Sequence, residues 1–154
     1  MKKVTGDFFF VYKARPFPKQ RPIFSRKSGV AFTPPETRAF EKEFQSLCEH
    51  RMKGAGFARI PYPTPVELII DFAYPAPSKD HGRLWKTDRP DMDNLIKAVK
   101  DAMNKTLYED DAQVVTMRCR KIYHRIPTAP EGYISVVVNV LTNEGSQRQL
   151  NIKT

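Results

Sequence analysis

Prolines decide where regular structure can run in this chain. The stretch Arg15-Pro16-Phe17-Pro18-Lys19-Gln20-Arg21-Pro22 is basic and cannot be a helix. Each proline lacks the N–H a helical bond needs, and its ring clashes with the preceding turn. Pro34-Pro35 after Thr33 has the opposite meaning, because prolines suit a first helical turn whose N–H groups are unpaired anyway. A helix is therefore expected with Thr33 as its cap, running to about Lys53, where Gly54 and Gly56 stop it. Tyr62 to Pro65 is a further proline-rich connection, and Pro75 to Pro90 is a long polar loop holding Lys79, His81, Arg83, Trp85 and Lys86. Loops of this length in a compact domain are often functional.

Between these breaks the apolar residues set the period. Asp7 to Tyr12 is aromatic and β-branched and reads as a strand. Phe40, Phe44, Leu47 and Cys48 recur at helical spacing and give the first helix a buried face. Val66 to Tyr74 alternates as a strand, with Val66, Leu68, Ile70 and Phe72 on one side. From Asp93 to about Lys105 the period is helical, with Ile96, Val99 and Met103 on one face and Asp93, Lys97, Asp101 and Asn104 on another. Gln113 to Tyr123 reads as a strand with Val115, Met117 and Cys119 apolar and Arg118 and Arg120 on its other side. Tyr133 to Leu141 is valine-rich, as expected of a central strand. The order β-α-β-α-β-β predicts a single α+β domain over residues 1–141, a mixed sheet with two main helices, and a polar tail over 142–154.

The charge balance narrows the partners. Lys and Arg number 26 against 17 Asp and Glu, a formal net charge of +9, and the basic residues crowd into Lys13–Lys27, Lys79–Arg89 and Arg118–Arg125. Clustered positive charge is the footprint of a polyanion binder. No apolar run has transmembrane length, and Cys48 and Cys119 are too far apart for a metal clip. They are expected to be reduced core thiols of a soluble cytosolic protein. His50, His81 and His124 have no paired ligand spacing, no glycine-rich phosphate loop precedes a helix, and no Ser/His/Asp arrangement stands out.

Within this basic chain lies an acidic segment, Arg89-Pro90-Asp91-Met92-Asp93-Asn94-Leu95-Ile96-Lys97, followed by Glu109-Asp110-Asp111. An Asp-x-Asp at a helix start is most often a cap, Asp110-Asp111 before a strand is an ordinary turn, and Lys97 four residues after Asp93 is an ordinary helix-surface pair. Together they mean more, because several carboxylates in one place repel unless a cation lies between them. An all-oxygen donor set suits Mg²⁺, with Mn²⁺ able to substitute. Such an ion readies a water and stabilises charge on phosphorus, while Lys97 could hold the phosphate.

Asp91-x-Asp93-Asn94-x-x-Lys97-x-x-x-Asp101 with Asp110-Asp111-x-x-Val114 resembles the signature of the RusA-type Holliday junction resolvases. Pro18-Lys19-x-Arg21-Pro22 and Phe32-Thr33-Pro34-Pro35-x-Thr37 are similar to other segments of that family, and the likeness extends over roughly residues 8 to 141. Met103-Asn104 departs from it, standing where Leu-Gly is frequent. The resemblance implies a homodimeric, Mg²⁺-dependent endonuclease that resolves four-way junctions by paired symmetric nicks. By position it implies Asp91, Asp93 and Asp111 as metal-binding catalytic aspartates and Lys97 as the essential lysine, and it leaves the roles of Asp101 and Asp110 open. Lys19, Arg21, Arg83, Lys86, Arg89, Arg118 and Arg120 are the expected DNA contacts. Phe24 or Trp85 could stack on an opened base, although core or loop packing is the commoner fate of such residues. A short basic resolvase fits a bacterial cytoplasm and, by association, a phage or prophage genome. Two other readings stand beside it: a nuclease of the same fold acting on flaps or forks, and a non-catalytic DNA binder whose acidic residues are caps.

Overall fold

A computed structural model of the protein describes residues 7–79 and 82–142. Strand β1 (Phe8–Tyr12) leads into the proline-rich stretch, which ends in a two-stranded hairpin of β2 (Ile23–Phe24) and β3 (Ala31–Phe32). Helix α1 (Pro35–Ala55) follows, then β4 (Val66–Pro75), the long loop and helix α2 (Met92–Met103). A 3₁₀ turn (Asp111–Gln113) opens β5 (Val114–His124), and β6 (Tyr133–Val140) closes the fold. The larger sheet has the order β1-β6-β4-β5, antiparallel except for the parallel pair β4–β5. Parallel neighbours need a crossover, and α2 supplies it. The expected α+β domain is what forms.

One core lies between the sheet and the two helices. Val66, Leu68, Ile70 and Phe72 of β4 and Ile134, Val136 and Val138 of β6 are fully buried, as the alternation in β4 predicts. From α1 come Phe40, Phe44, Cys48 and Met52, with Leu47 only half-buried. Edge-on ring contacts, Phe10–Phe44 at 5.5 Å and Tyr12–Phe40 at 5.7 Å, join β1 to α1. The inner face of α2 is Leu95, Ala98, Val99, Ala102 and Met103, while Ile96 lies at its margin.

Several expectations need correction. Pro34, not Thr33, is the α1 cap position and makes no side-chain cap bond, while Gly56 in the left-handed conformation ends the helix. The basic loop hides the β2–β3 hairpin, in which Ile23 faces Phe32 and Phe24 faces Ala31. Val115 is 62% exposed. The β4–β5 register steps from Val66↔Val114 to Glu67↔Thr116, so Val115 is the extra residue of a bulge and leaves the inward alternation. Met117 and Cys119 beyond the bulge do pack against the core. His81 and residues 143–154, nearly all of the expected tail, lie outside the described residues. No helix among the described residues is long and apolar enough to cross a membrane.

Candidate active site at the start of the second helix

The chain reaches α2 along the outer edge of the sheet. β5 is the edge strand, and residues 84–86 add to it as a short strap: the Tyr123 N–H donates to the Leu84 carbonyl at 2.8 Å and the Lys86 N–H to the Lys121 carbonyl at 3.1 Å. Asp88 is then held by its carboxylate. Lys86 Nζ lies 2.9 Å from its Oδ1 and the Tyr123 hydroxyl donates to the same atom at 3.1 Å. The Lys86 ammonium, then the Asp88 backbone N–H and the Tyr123 hydroxyl, bring the carboxyl down to about 2. Lys121 completes the attachment, donating from Nζ to the carbonyls of Asp88 at 2.6 Å and Pro90 at 2.7 Å.

The aspartates divide into those engaged in the fold and those that are not. Asp91 occupies the cap position of α2 with φ −72° and ψ 143°, yet its side chain makes no cap hydrogen bond. Asp110 behaves as an ordinary cap: its Oδ1 accepts from the Ala112 N–H at 2.8 Å, and the Gln113 side chain accepts from the Asp110 N–H at 2.9 Å. That capping box gives Asp110 a structural task and leaves its neighbour Asp111 out of it. Asp101 is also engaged, 3.2 Å from Lys19 Nζ and 3.4 Å from Lys97 Nζ. Asp91, Asp93 and Asp111 are thus the described aspartates not held by the hydrogen bonds and ion pairs found among the described residues.

Lys97 is 63% exposed and pairs with Asp101, one turn further on, rather than with Asp93. Such an exposed pair is weak, worth about 0.5 kcal/mol, so the ammonium can leave it for a phosphate. Lys19 is tied down more firmly. Its N–H donates to the Asn94 carbonyl at 2.9 Å, and its ammonium bridges Glu41 of α1 and Asp101 of α2. Burial opposes its charge, but the two carboxylates outweigh that and hold its pKa above the ordinary lysine value. The basic loop is in this way laid across the first turns of α2. Tyr108 supports the other end of the helix: its hydroxyl donates to the Lys100 carbonyl at 3.0 Å, and burial, then the Asp111 carboxylate, push it well above its ordinary range.

The expected DNA contacts are unequal in what they present. Arg21, Arg83, Arg89 and Arg118 are exposed, although Arg83 also donates to the Thr87 hydroxyl at 2.6 Å and lies 5.9 Å from the Tyr123 ring centre. Arg120 is half-exposed and grips Asp71 through two bonds of 2.8 and 2.6 Å. Lys86 is buried, its ammonium 4.8 Å and 5.5 Å from the ring centres of Tyr74 and Tyr123. Its charge serves the strap, as that of Lys19 serves the helix pair. Phe24 and Trp85, 64% and 55% exposed, are not core residues.

Sequence reasoning missed Lys121, Tyr123, Asp88 and Glu41. Each stands on a strand, loop or helix segment with no motif, and only the basic-aromatic run Arg118–Arg125 hinted at β5. His50, His124 and the two cysteines stay outside the site. His124 is buried, which lowers its pKa, and its Nδ1 accepts from the Ile126 N–H at 3.1 Å. Burial pushes the thiols of Cys48 and Cys119 up to about 12 and about 11.

Among the described residues, no three His, Cys, Asp or Glu side chains converge into a ready-made metal cage. The donor set nevertheless fits a hard divalent ion in kind. Mg²⁺ is commonly held by one or two protein carboxylates, with waters and substrate phosphates completing its shell, and unengaged oxygen donors at a helix start meet that need.

The profile of the family described as Endodeoxyribonuclease RusA matches residues 13–130, which include every residue of this site. A crossover junction endodeoxyribonuclease RusA of Lactococcus phage r1t is 41% identical over 59 residues, 38% of this chain and 45% of that protein. An uncharacterized protein YqaN of Bacillus subtilis strain 168 is 46% identical over 48 residues, 31% of this chain and 34% of its own. The matched segment therefore spans less than half the length of either relative.

Proposed function

Because the chain belongs to the RusA endodeoxyribonuclease family, we propose that it is a structure-specific endodeoxyribonuclease that resolves Holliday junctions by paired symmetric nicks, with Mg²⁺ as cofactor. One observation carries this reading: Asp91 stands at a cap position without capping, and Asp111 stands beside a cap without sharing it. Left in a basic surface, such carboxylates weaken the grip on a phosphate backbone and serve a binder no purpose. They serve an enzyme that must bring a cation to that backbone.

Asp91, Asp93 and Asp111 would hold the ion. Bound there, it supplies neutralisation of the scissile phosphate and activation of a water for in-line attack. Lys97, one turn along α2 from Asp93 and on the same face, leaves its loose pair with Asp101 to donate to a non-bridging phosphate oxygen, where charge builds. Arg21, Arg83, Arg89 and Arg118 take flanking phosphates, while Arg120 is held by Asp71. The β2–β3 hairpin carries exposed Phe24 beside Arg26 and Lys27, a stacking platform suited to bases splayed at a branch point. A four-way junction has approximate two-fold symmetry, and a two-fold homodimer would set identical sites against opposed strands. The relative in a phage agrees with a phage-encoded protein acting in a bacterial cytoplasm.

The test is cleavage of a synthetic four-way junction in Mg²⁺, with a linear duplex and a flap as controls and Asp91→Asn alongside. The expected result is symmetric nicks in the junction alone, lost by at least about a hundredfold in the variant with binding retained or tightened. Equal cutting of flaps would move the substrate to branched DNA in general. Tight binding without cleavage in Mg²⁺ or Mn²⁺ would make the protein a non-catalytic binder.

A further inference from the structure

We propose that Lys121 is a positioning residue for the acidic site, acting through the backbone that carries Asp91 and Asp93. The inference rests on the reading of those aspartates as metal ligands. Lys121 is half-buried on β5, in register with Phe72 of β4, and it holds the strap twice. Its carbonyl accepts from the Lys86 N–H, and its ammonium donates to the carbonyls of Asp88 and Pro90 at 2.6 and 2.7 Å. Bonds from a charged donor at these lengths are among the stronger hydrogen bonds a protein makes.

The place of these bonds gives them their role. Pro90 is the last residue before Asp91, and the Asp91 carbonyl takes the first helical bond from the Leu95 N–H at 3.3 Å. Fixing the Asp88 and Pro90 carbonyls therefore fixes the direction in which the chain enters α2 and the directions of the two aspartates on either side of Met92. Arg89 is exposed and Pro90 only half-buried, and Met92 packs at the edge of the core. Asp88 is meanwhile neutralised by Lys86 and Tyr123. A further carboxylate three residues before Asp91 is thereby kept from drawing the ion away from the three ligands. A ligand pair at a helix start tolerates little error, because displacement of about 1 Å can cost about a hundredfold in rate.

The test compares Lys121→Met, which keeps the apolar stem, with Lys121→Arg, which keeps the charge. In the metal-free protein, amide hydrogen exchange at Leu95 and Ile96, the first bonded amides of α2, should rise at least about tenfold in Lys121→Met, with amides of β4 and β6 unchanged. Mg²⁺ titration followed by amide shifts should give affinity about tenfold weaker, and kcat for junction cleavage should fall more than KM changes. Lys121→Arg should recover most of each. Tyr123→Phe, which removes the hydroxyl that donates to Asp88, should produce a smaller change of the same sign and serves if Lys121→Met does not fold. Exchange and Mg²⁺ affinity within twofold of wild type in Lys121→Met would overturn the proposal. The exchange measurement needs neither metal nor cleavage, so a wild type that cuts no junction would sink the proposed function and leave this result readable.

Discussion

Gly132 shows how one residue far from the site sets where the basic loop begins. Its φ of +111° lies where side chains are strained, and a Cβ there would collide with the Ala73 carbonyl oxygen and press on Pro16 Cδ at 3.3 Å. Pro16, at the start of the basic loop, is buried here, and its carbonyl accepts from the Tyr74 hydroxyl at 3.4 Å. Gly132→Ala combines backbone strain with overpacking and should cost about 3 kcal/mol. Urea unfolding should show a lower midpoint with an unchanged slope. A midpoint unmoved within error would mean that β4 and the loop give way easily. At this scale the sequence announced the aspartates but not their employment. Asp110 and Asp111 are identical neighbours, and only the capping box with Gln113 separates a structural carboxylate from an available one. Lys86 was equally opaque: its burial depends on Tyr74 and Tyr123, which come from two strands that meet only in the folded sheet.

At the scale of elements, periodicity fixed both helices and all four strands of the main sheet to within a few residues, and the departures have local causes. The bulge at Val115 is one, since register between parallel strands is invisible in either strand alone. The β2–β3 hairpin is another, being two residues a side and mostly exposed, too short for any period to show. The turn leaving α2 contains Lys105 at φ +65°, the one described non-glycine residue with positive φ. A side chain in that conformation costs about 1 kcal/mol, and glycine would remove the strain while adding a somewhat smaller gain in unfolded-state entropy. Lys105→Gly should stabilise the protein by about 0.5 kcal/mol, raising Tm by about 1–2 °C, whereas Lys105→Ala should not. A Tm that falls in Lys105→Gly would show that the lysine side chain contributes something its exposed position does not reveal.

For the whole molecule, the net charge of +9 overstates the positive charge a polyanion meets. Lys19 bridges two carboxylates, Lys86 is buried against Asp88 and two rings, and Arg120 is chelated by Asp71. Arg118, on the opposite face of β5 from Lys121, remains on the surface. Composition could indicate a nucleic-acid binder but could not say which cations face the ligand, because pairing is decided by the strand order β1-β6-β4-β5 and the crossover through α2. Salt dependence separates the two kinds of lysine and arginine. Each phosphate neutralised contributes about 0.9 to the slope of log K against log salt on duplex DNA. Arg118→Gln should therefore weaken binding to a four-way junction and flatten that slope by about one unit, with little change in Tm. Lys86→Gln should do the reverse, lowering Tm because Asp88 and the two rings lose their cation, while leaving the slope of the folded protein unchanged. Titrating junction binding from low to moderate salt with both variants checks the assignment. Equal loss of slope in both would mean that the strap opens on DNA and that Lys86 joins the binding surface.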